Sequence, residues 1–247
     1  MNVIFADWEL ENLNKKTYEI NIDCEEDNIN KIRRFEKEKQ PEYIVLKIPT
    51  KYAKNFLQEI NSYEFIETQF TLVKKLKYFD KQEDFSNRYA LKKIDEENEI
   101  NNLISFIDDD MFKTDRIALD KKFGVKVANR RYKNWIKNGQ IKGNEIYFLM
   151  KNNKQIGFLM TSIKENTANI LLGGIFNKFQ GMGHGYGMVY KPIELYKEKK
   201  YDYIQTKVSS NNFQVLKIYL SLGYEIKNIE YVYIKHIWGG NKNGKQN

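Results

Sequence analysis

Asn169-Ile-Leu-Leu-Gly-Gly-Ile-Phe-Asn-Lys-Phe-Gln-Gly-Met-Gly-His-Gly-Tyr-Gly187 reads as a strand that ends near Ile175, a turn, a glycine-rich loop and the start of a helix reaching about Lys199. Glycines alternate at Gly181, Gly183, Gly185 and Gly187. They permit backbone conformations and close approaches that a Cβ forbids. A loop that opens a helix aims unpaired N–H groups and the positive end of the dipole at one point. That is an anion site, most naturally for phosphate. The dinucleotide pattern G-x-G-x-x-G fails, because its third glycine falls at Tyr186 or Met188. The P-loop pattern fails for want of Gly-Lys-Ser/Thr. What remains is Gln180-x-x-Gly183-x-Gly185 directly after a strand, against the plainer alternative of a glycine-rich turn with no ligand.

The 247 residues suffice for one large domain or two small ones with a sizeable core. Hydrophobic content of 41% and charged content of 30% match a globular protein. No apolar run approaches the ~20 residues of a membrane span, and the Met1-Asn-Val-Ile-Phe-Ala-Asp-Trp start lacks the features of a signal peptide. Cys24 is the only cysteine, which excludes an intrachain disulfide. The expected location is the cytoplasm, with no membrane partner. A net charge of +8 suits a polyanion. The lysines are spread rather than gathered, so a solvated basic surface explains them too, and no nucleic-acid partner is expected.

Residues 1–87 read as a small α/β unit. Thr17 to Ile22 is a strand, Glu25 to Lys39 a charged surface helix, and Tyr43 to Ile48 a compact strand. Lys51 to Ser62 places Tyr52, Phe56, Leu57 and Ile60 on one helical face, and Glu64 to Lys75 alternates as a strand. This strand–helix–strand order echoes Phe213 to His236, as a degenerate half-repeat would. Phe79 to Asn87 is polar and aperiodic, which sets the boundary. Residues 88–238 form the second domain, and 239–247 a polar tail expected to be disordered. In the second domain, Tyr89 to Ile94 is a strand and Asp95 to Phe106 a helix. The carboxylates at 108–110 lack calcium-loop spacing and read as a solvated turn; no metal is expected. Lys126 to Asn138 is a helix with an aromatic side. Glu145 to Met150 and Gln155 to Ser162 are two strands joined by Lys151-Asn-Asn-Lys154, a hairpin signal. Thr167 to Ile175 leads into the glycine loop, whose helix Pro192 should kink. Tyr203 to Val208 is a strand, Asn212 to Leu222 a helix, and Tyr224 to Ile226 and Tyr231 to Ile234 two final strands.

The loop motif, Gln180-x-x-Gly183-x-Gly185, resembles the pyrophosphate loop of the GCN5-related N-acetyltransferases, which bind coenzyme A. The element order β-α-α-β-β-β-α-β-α-β-β from about residue 88 is similar to theirs. So is Asn212-x-x-x-x-x-x-Tyr219-x-x-x-Gly223-Tyr224, with Val215 in place of the family's alanine and Tyr224 in place of its phenylalanine. The fold class this implies is α/β (α+β): an acyl-CoA N-acyltransferase fold, a mixed central sheet flanked by helices, after a small N-terminal α/β domain. Asp115-Arg-Ile-Ala-Leu-Asp120 and Ala128 to Asn138, with Tyr132 and Trp135, resemble a segment of the dTDP-fucosamine acetyltransferase group. Those enzymes also carry an extra N-terminal α/β unit and N-acetylate a nucleotide-linked amino sugar.

The resemblance implies an acetyl-CoA site at Gly174, Ile175, Phe176, Gln180, Gly181, Met182, Gly183, His184, Gly185, Tyr186 and Asn212. An amine attacks a thioester directly, so no covalent enzyme nucleophile is needed. A backbone N–H near Ile175 would stabilise the carbonyl oxygen. Gly173 and Gly174 fit a strand approached closely by a ligand or a bulge. A tyrosine, with an ordinary pKa near ~10, suits protonation of the leaving thiolate, and the resemblance assigns this to Tyr219. Asn212 would bind the pantetheine arm, cap a helix, or both. His184 reads as a loop residue. Asp115, Arg116, Tyr132 and Trp135 are acceptor-side candidates; Arg116 fits a diphosphate grip or a structural ion pair equally. No general base is visible. The expected partner is a small amine, with a nucleotide sugar favoured, and a homodimer is one expected form. The competing functions are acetylation of an amino acid, peptide N-terminus or antibiotic, and a non-catalytic acyl-CoA or nucleic-acid binder.

Overall fold

The computed structural model describes residues 1–109 and 111–237. Asp110 and the expected tail lie outside the described residues. The first stretch runs β1 (Asn2–Phe5), α1 (Asp7–Leu13), β2 (Thr17–Asn21), α2 (Ile29–Lys39), β3 (Tyr43–Pro49) and β4 (Glu64–Lys75). Next come α3 (Glu83–Ser86), β5 (Ala90–Ile94), α4 (Glu97–Ser105), α5 (Arg116–Leu119), α6 (Gly124–Ile141), β6 (Glu145–Lys151) and β7 (Lys154–Lys164). The chain ends with β8 (Thr167–Ile175), α7 (His184–Glu198), β9 (Tyr203–Ser209), α8 (Phe213–Ser221) and β10 (Glu225–His236). Among the described residues no helix is long and apolar enough to cross a membrane.

Contacts divide the chain into two compact units, Met1–Gln69 with the chain from Ile229 onward, and Phe70–Asn228. In the first unit β2 runs parallel to β3, and β10 pairs antiparallel with β3 from Glu230↔Pro49 to His236↔Tyr43. Ile20, Ile32, Ile44, Leu46 and Phe56 fill its core. This division differs from a boundary at 87/88 for a physical reason. The polar run 79–87 is held to α7: the Gln82 N–H donates to the Tyr190 hydroxyl at 2.7 Å, and Ser86 donates to Glu194. Its composition reflects specific hydrogen bonds rather than a free linker.

In the second unit β5, β6, β7 and β8 are antiparallel neighbours, and β8 runs parallel to β9. Alternate residues of β6 serve two cores. Ile146 and Phe148 join α4 and α6 through Leu103 and Ile136. Tyr147 and Leu149 join α7 and α8 through Ile193 and Leu216. Both faces are covered, which is why β6 reads as a nearly continuous apolar run. The β6–β7 turn holds Asn152 and Asn153 at φ 48° and 60°, as an Asn-rich hairpin turn requires.

Three local expectations change. The segment 50–62 winds as a short 3-10 turn, Thr50–Asn55, then irregular turns, with Phe56 and Ile60 buried but Leu57 half exposed. α2 begins at Ile29 because Asn28 caps it, accepting from the N–H groups of Asn30 and Lys31. The two last strands are one, since nothing between Ile226 and Tyr231 breaks an extended chain. α7 continues through Pro192, which is buried inside it. β1 and α1 had no sequence signal beyond weak alternation.

Candidate functional site

The site is built where two parallel strands part. β8 and β9 are in register only from Thr167↔Tyr203 to Ile170↔Thr206. Beyond that rung Leu171–Ile175 and Lys207–Ser209 continue without pairing to one another. A bulge at Leu171 marks the point of separation: Met160 pairs with Leu172 and Thr161 with Ile170. Bulges bend a strand and re-aim the residues beyond the bend. The bulge therefore falls at Leu171, beside the two glycines rather than at them. The Thr206 hydroxyl donates to the Ile170 carbonyl at 3.2 Å and closes the last rung.

At the far end of β8 the Phe176 N–H turns back to the Ile156 carbonyl at 3.0 Å. Hydrogen-bonded and non-bonded pairs alternate along an antiparallel ladder, so the N–H and C=O of Ile175 face away from β7, into the split. The Ile175 carbonyl there accepts from the Gln180 side chain at 3.1 Å, and Gln180 also donates to Asn177 at 2.9 Å. Gln180 thus staples the loop to the strand end, and among the described residues the Ile175 N–H meets no acceptor. Gly174 lies under Met111: a Cβ on it would meet the Met111 methyl at 2.7 Å.

The loop between β8 and α7 needs glycine at two places. Gly181 and Gly183 have φ of +75° and +78°, and Gly183 is the N-terminal cap of α7. A Cβ on either would meet nothing within 4 Å, so the space in front of them is open. Among the described residues the N–H groups of Gly181, Met182 and Gly183 meet no acceptor. The first N–H groups of α7, from His184 to Tyr186, join them as unpaired donors at the positive end of the helix. No acidic residue sits in that turn. Unpaired N–H groups at a helix start favour an anion.

Gly185 and Gly187 do a different job. They let α7 pack closely: a Cβ on Gly185 would lie 3.0 Å from Ile218, and one on Gly187 would lie 2.8 Å from the Tyr89 ring. The His184 side chain also turns inward, its Nδ1 3.1 Å from the Tyr89 hydroxyl. Burial first, and then Lys151, hold its pKa below the ordinary histidine value. His184 therefore offers its backbone N–H, not its ring, to the loop. Tyr186 packs its ring on Phe85 and Tyr190, and Met182 is 62% exposed. Overpacking a tight contact costs about 1–3 kcal/mol. Gly187→Ala is accordingly expected to lower the thermal midpoint measurably while leaving the loop's ligand affinity unchanged, read by calorimetry on the same sample.

Tyr219, on α8, is buried in the core that α7 and α8 share. Thr206, the residue of the last paired rung, acts on its hydroxyl. Burial, opposed by Thr206, pushes its pKa up to about 12. It is neutral throughout the physiological range. Its ring meets Tyr224 edge-on at 4.8 Å. Asn212 precedes α8 in the cap position, yet its side chain makes no capping hydrogen bond. The amide is left for another partner.

On the far side of the sheet Asp115 caps α5, accepting from the Ile117 N–H at 2.9 Å and from the Tyr132 hydroxyl at 2.7 Å. Tyr132 is stacked on Phe112 at 3.8 Å and on Trp135 at 5.9 Å, with Arg131 over both the Tyr132 and Trp135 rings. Arg116 is buried beside them. The four acceptor-side candidates are therefore brought together, but Asp115 and Tyr132 bind each other, a structural use of both. Sequence reasoning missed Thr206, Met111, Phe112 and Arg131. Only Thr206 carried a signal: it alternates with buried Ile204 and Val208, so it is a polar residue on an inward face.

A mixed sheet that opens after its parallel β8–β9 pair, with a glycine loop starting a helix at the opening, is the acyl-CoA N-acyltransferase architecture. Solved structures share it. A GCN5-related N-acetyltransferase from Sphaerobacter thermophilus superposes with a TM-score of 0.58 at 10% identity, over 83% of this chain and 62% of that one. A functionally unknown conserved protein from Staphylococcus epidermidis gives 0.61 at 14% identity, over 90% and 84%. A tandem GNAT protein from the clavulanic acid biosynthesis pathway gives 0.52 at 10%, over 91% and 76%. This chain thus spans less than two thirds of the Sphaerobacter protein's length. The likeness is one of fold. Compared by sequence, the chain matches no protein-family model and no curated protein.

Proposed function

We propose that the chain is an acetyl-CoA-dependent N-acetyltransferase of a small primary amine. One observation carries the reading: the strand edge freed after Ile170↔Thr206 leads into a loop of unpaired N–H groups at a helix start, and the buried, neutral Tyr219 is influenced by Thr206 of that last rung. The loop from Gly181 to Tyr186 would hold the diphosphate, and the edge of β8 with Asn212 the pantetheine arm. The bound acetyl-CoA supplies an activated acetyl thioester. The Ile175 N–H is oriented to stabilise charge on a carbonyl oxygen in the split. Tyr219 holds a proton for a departing thiolate.

The acceptor we favour is a nucleotide-linked amino sugar. The segment Asp115 to Trp135 supports this by its resemblance to the dTDP-fucosamine acetyltransferase group, and the reaction would take place in the cytoplasm. The test is thiol release from acetyl-CoA over a panel of amines: amino-sugar nucleotides, free amino sugars, amino acids, peptides and aminoglycosides. Release with a sugar nucleotide alone supports the full proposal. Release with another class keeps the enzyme and replaces the acceptor. No release with any amine, alongside tight acetyl-CoA binding, makes the chain an acyl-CoA sensor.

A further inference from the structure

The first turn of α7 has two flanks. Residues two apart on a helix point to nearly opposite sides. Gly185 faces Ile218 of α8, the helix that packs on β9, whereas Gly187 faces the Tyr89 ring. On this second flank Tyr186 meets Phe85 edge-on, with ring centroids 4.9 Å apart. Beside Phe85 the surface opens into a groove of about 600 Å³ lined by Gln82, Glu83, Phe85 and Arg88. That volume falls in the range of about 300–1,000 Å³ typical of small-molecule sites.

Two cations stand on the same flank. Arg88 lies over the Phe85 ring, 5.8 Å from its centroid, and Lys151 over the Tyr89 ring at 5.4 Å. Register explains the second contact: Ala90 pairs with Met150, so Tyr89 and Lys151 face each other one step further along. Neither cation forms an ion pair among the described residues. Burial raises the pKa of Tyr89, and the charge of Arg88 opposes it. Burial lowers that of His184, and Lys151 adds to the fall. Both charges therefore reach the Tyr89–His184 pair at the start of α7. No Asp or Glu occurs in 85–94, 146–164 or 174–193, the stretches that hold these cations, the loop and the first turns of α7.

We infer that the groove takes the phosphorylated nucleoside end of the acyl carrier, and that Arg88 and Lys151 recognise its phosphomonoester. This rests on the acetyltransferase reading and adds the residues that select a carrier with a nucleoside phosphate. The diphosphate of coenzyme A joins a pantetheine arm to a ribose bearing adenine and a 3′-phosphate. With the pantetheine arm along the freed edge of β8, toward α8, the nucleoside leaves by the opposite flank. A guanidinium matches a phosphate with paired donors, and its flat face also suits a nucleobase. Glu83 repels a phosphate but accepts from a ribose hydroxyl or the adenine amino group. The phosphate therefore belongs on the Tyr89 side of Arg88, next to Lys151, and the base in the groove.

The test titrates the full chain by calorimetry with coenzyme A and with dephospho-coenzyme A, which lacks only the 3′-phosphate. Wild type is expected to bind coenzyme A at least about tenfold more tightly, a difference of about 1.4 kcal/mol. Arg88→Gln/Lys151→Gln should bind the two forms within about twofold of each other, at the level wild type shows for dephospho-coenzyme A. Its thermal midpoint should be unchanged, because neither side chain is ion-paired in the fold. Lys133→Gln/Lys137→Gln removes the same charge from α6 and should keep the wild-type preference. Adenosine 3′,5′-bisphosphate should displace coenzyme A from wild type at least about tenfold more readily than from Arg88→Gln/Lys151→Gln. Equal affinity of wild type for the two forms overturns the inference and leaves the acetyltransferase reading in place. A preference that survives in Arg88→Gln/Lys151→Gln also overturns it, since other residues then read the phosphate. If neither form gives heat with wild type, the acetyltransferase reading falls and the inference falls with it.

Discussion

Tyr219→Phe is expected to bind acetyl-CoA with an affinity within about twofold of wild type and to turn over at least about tenfold more slowly, since a positioned general acid contributes about 10²–10⁴-fold. The substitution removes one oxygen from a ring that is 7% exposed and leaves its packing on Tyr224 intact. The pH profile adds a second readout. Burial favours the neutral phenol and raises its pKa to about 12. A general acid works in its protonated form, so activity that depends on it is present below that value and lost only above it. Wild-type turnover should therefore show no fall attributable to Tyr219 between neutral pH and pH ~11. A wild-type descending limb near pH ~10 that vanishes in Tyr219→Phe would mean the phenol titrates as an exposed one, and unchanged turnover would remove it from the mechanism. Thr206→Val should act in the same direction but more weakly, because it removes a polar neighbour of the phenol and leaves the phenol itself in place.

How far the sequence reveals this arrangement depends on the residue. The glycine loop was legible because φ near +75° at Gly181 and Gly183 is a backbone demand, and such demands are written directly into residue type. The elements of the second unit were legible because β6 to β9 and α4, α6, α7 and α8 each bury an apolar face. The division of units was not. It depends on β10 pairing with β3, more than 180 positions apart in the chain, and no local pattern encodes a partner at that distance. Gln180 illustrates a subtler limit. The motif marks it for the ligand, while the structure spends its side chain on Ile175 and Asn177. Tyr132 is similar: its spacing shows an aromatic helix face, but not that its hydroxyl is claimed by Asp115. Side chains that hold other side chains look, in sequence, the same as side chains that hold substrate.

Gly183→Val tests the loop where the geometry is least forgiving. At φ +78° a β-branched residue is a steric outlier, and holding one there costs about 1–3 kcal/mol. The environment offers no clash to add, because a Cβ at Gly183 meets nothing within 4 Å. The chain can therefore relieve the strain by shifting the loop alone, and the fold should survive with a modest loss of thermal stability. The ligand site should not survive. A shifted loop turns the N–H groups of Gly181 to Gly183 away from their common focus, and the isopropyl group enters the open space. Hydrogen bonds to a charged group are worth about 1.5–3 kcal/mol each, so losing two lowers coenzyme A affinity at least about a hundredfold. Gly187→Ala is the matched control, since its Cβ meets the Tyr89 ring and not the cradle. The pair should dissociate: Gly183→Val loses affinity and keeps most of its stability, whereas Gly187→Ala loses stability and keeps its affinity. Wild-type coenzyme A binding by Gly183→Val would mean that the amides at this helix start do not hold the diphosphate, and the split between β8 and β9 would then need another ligand.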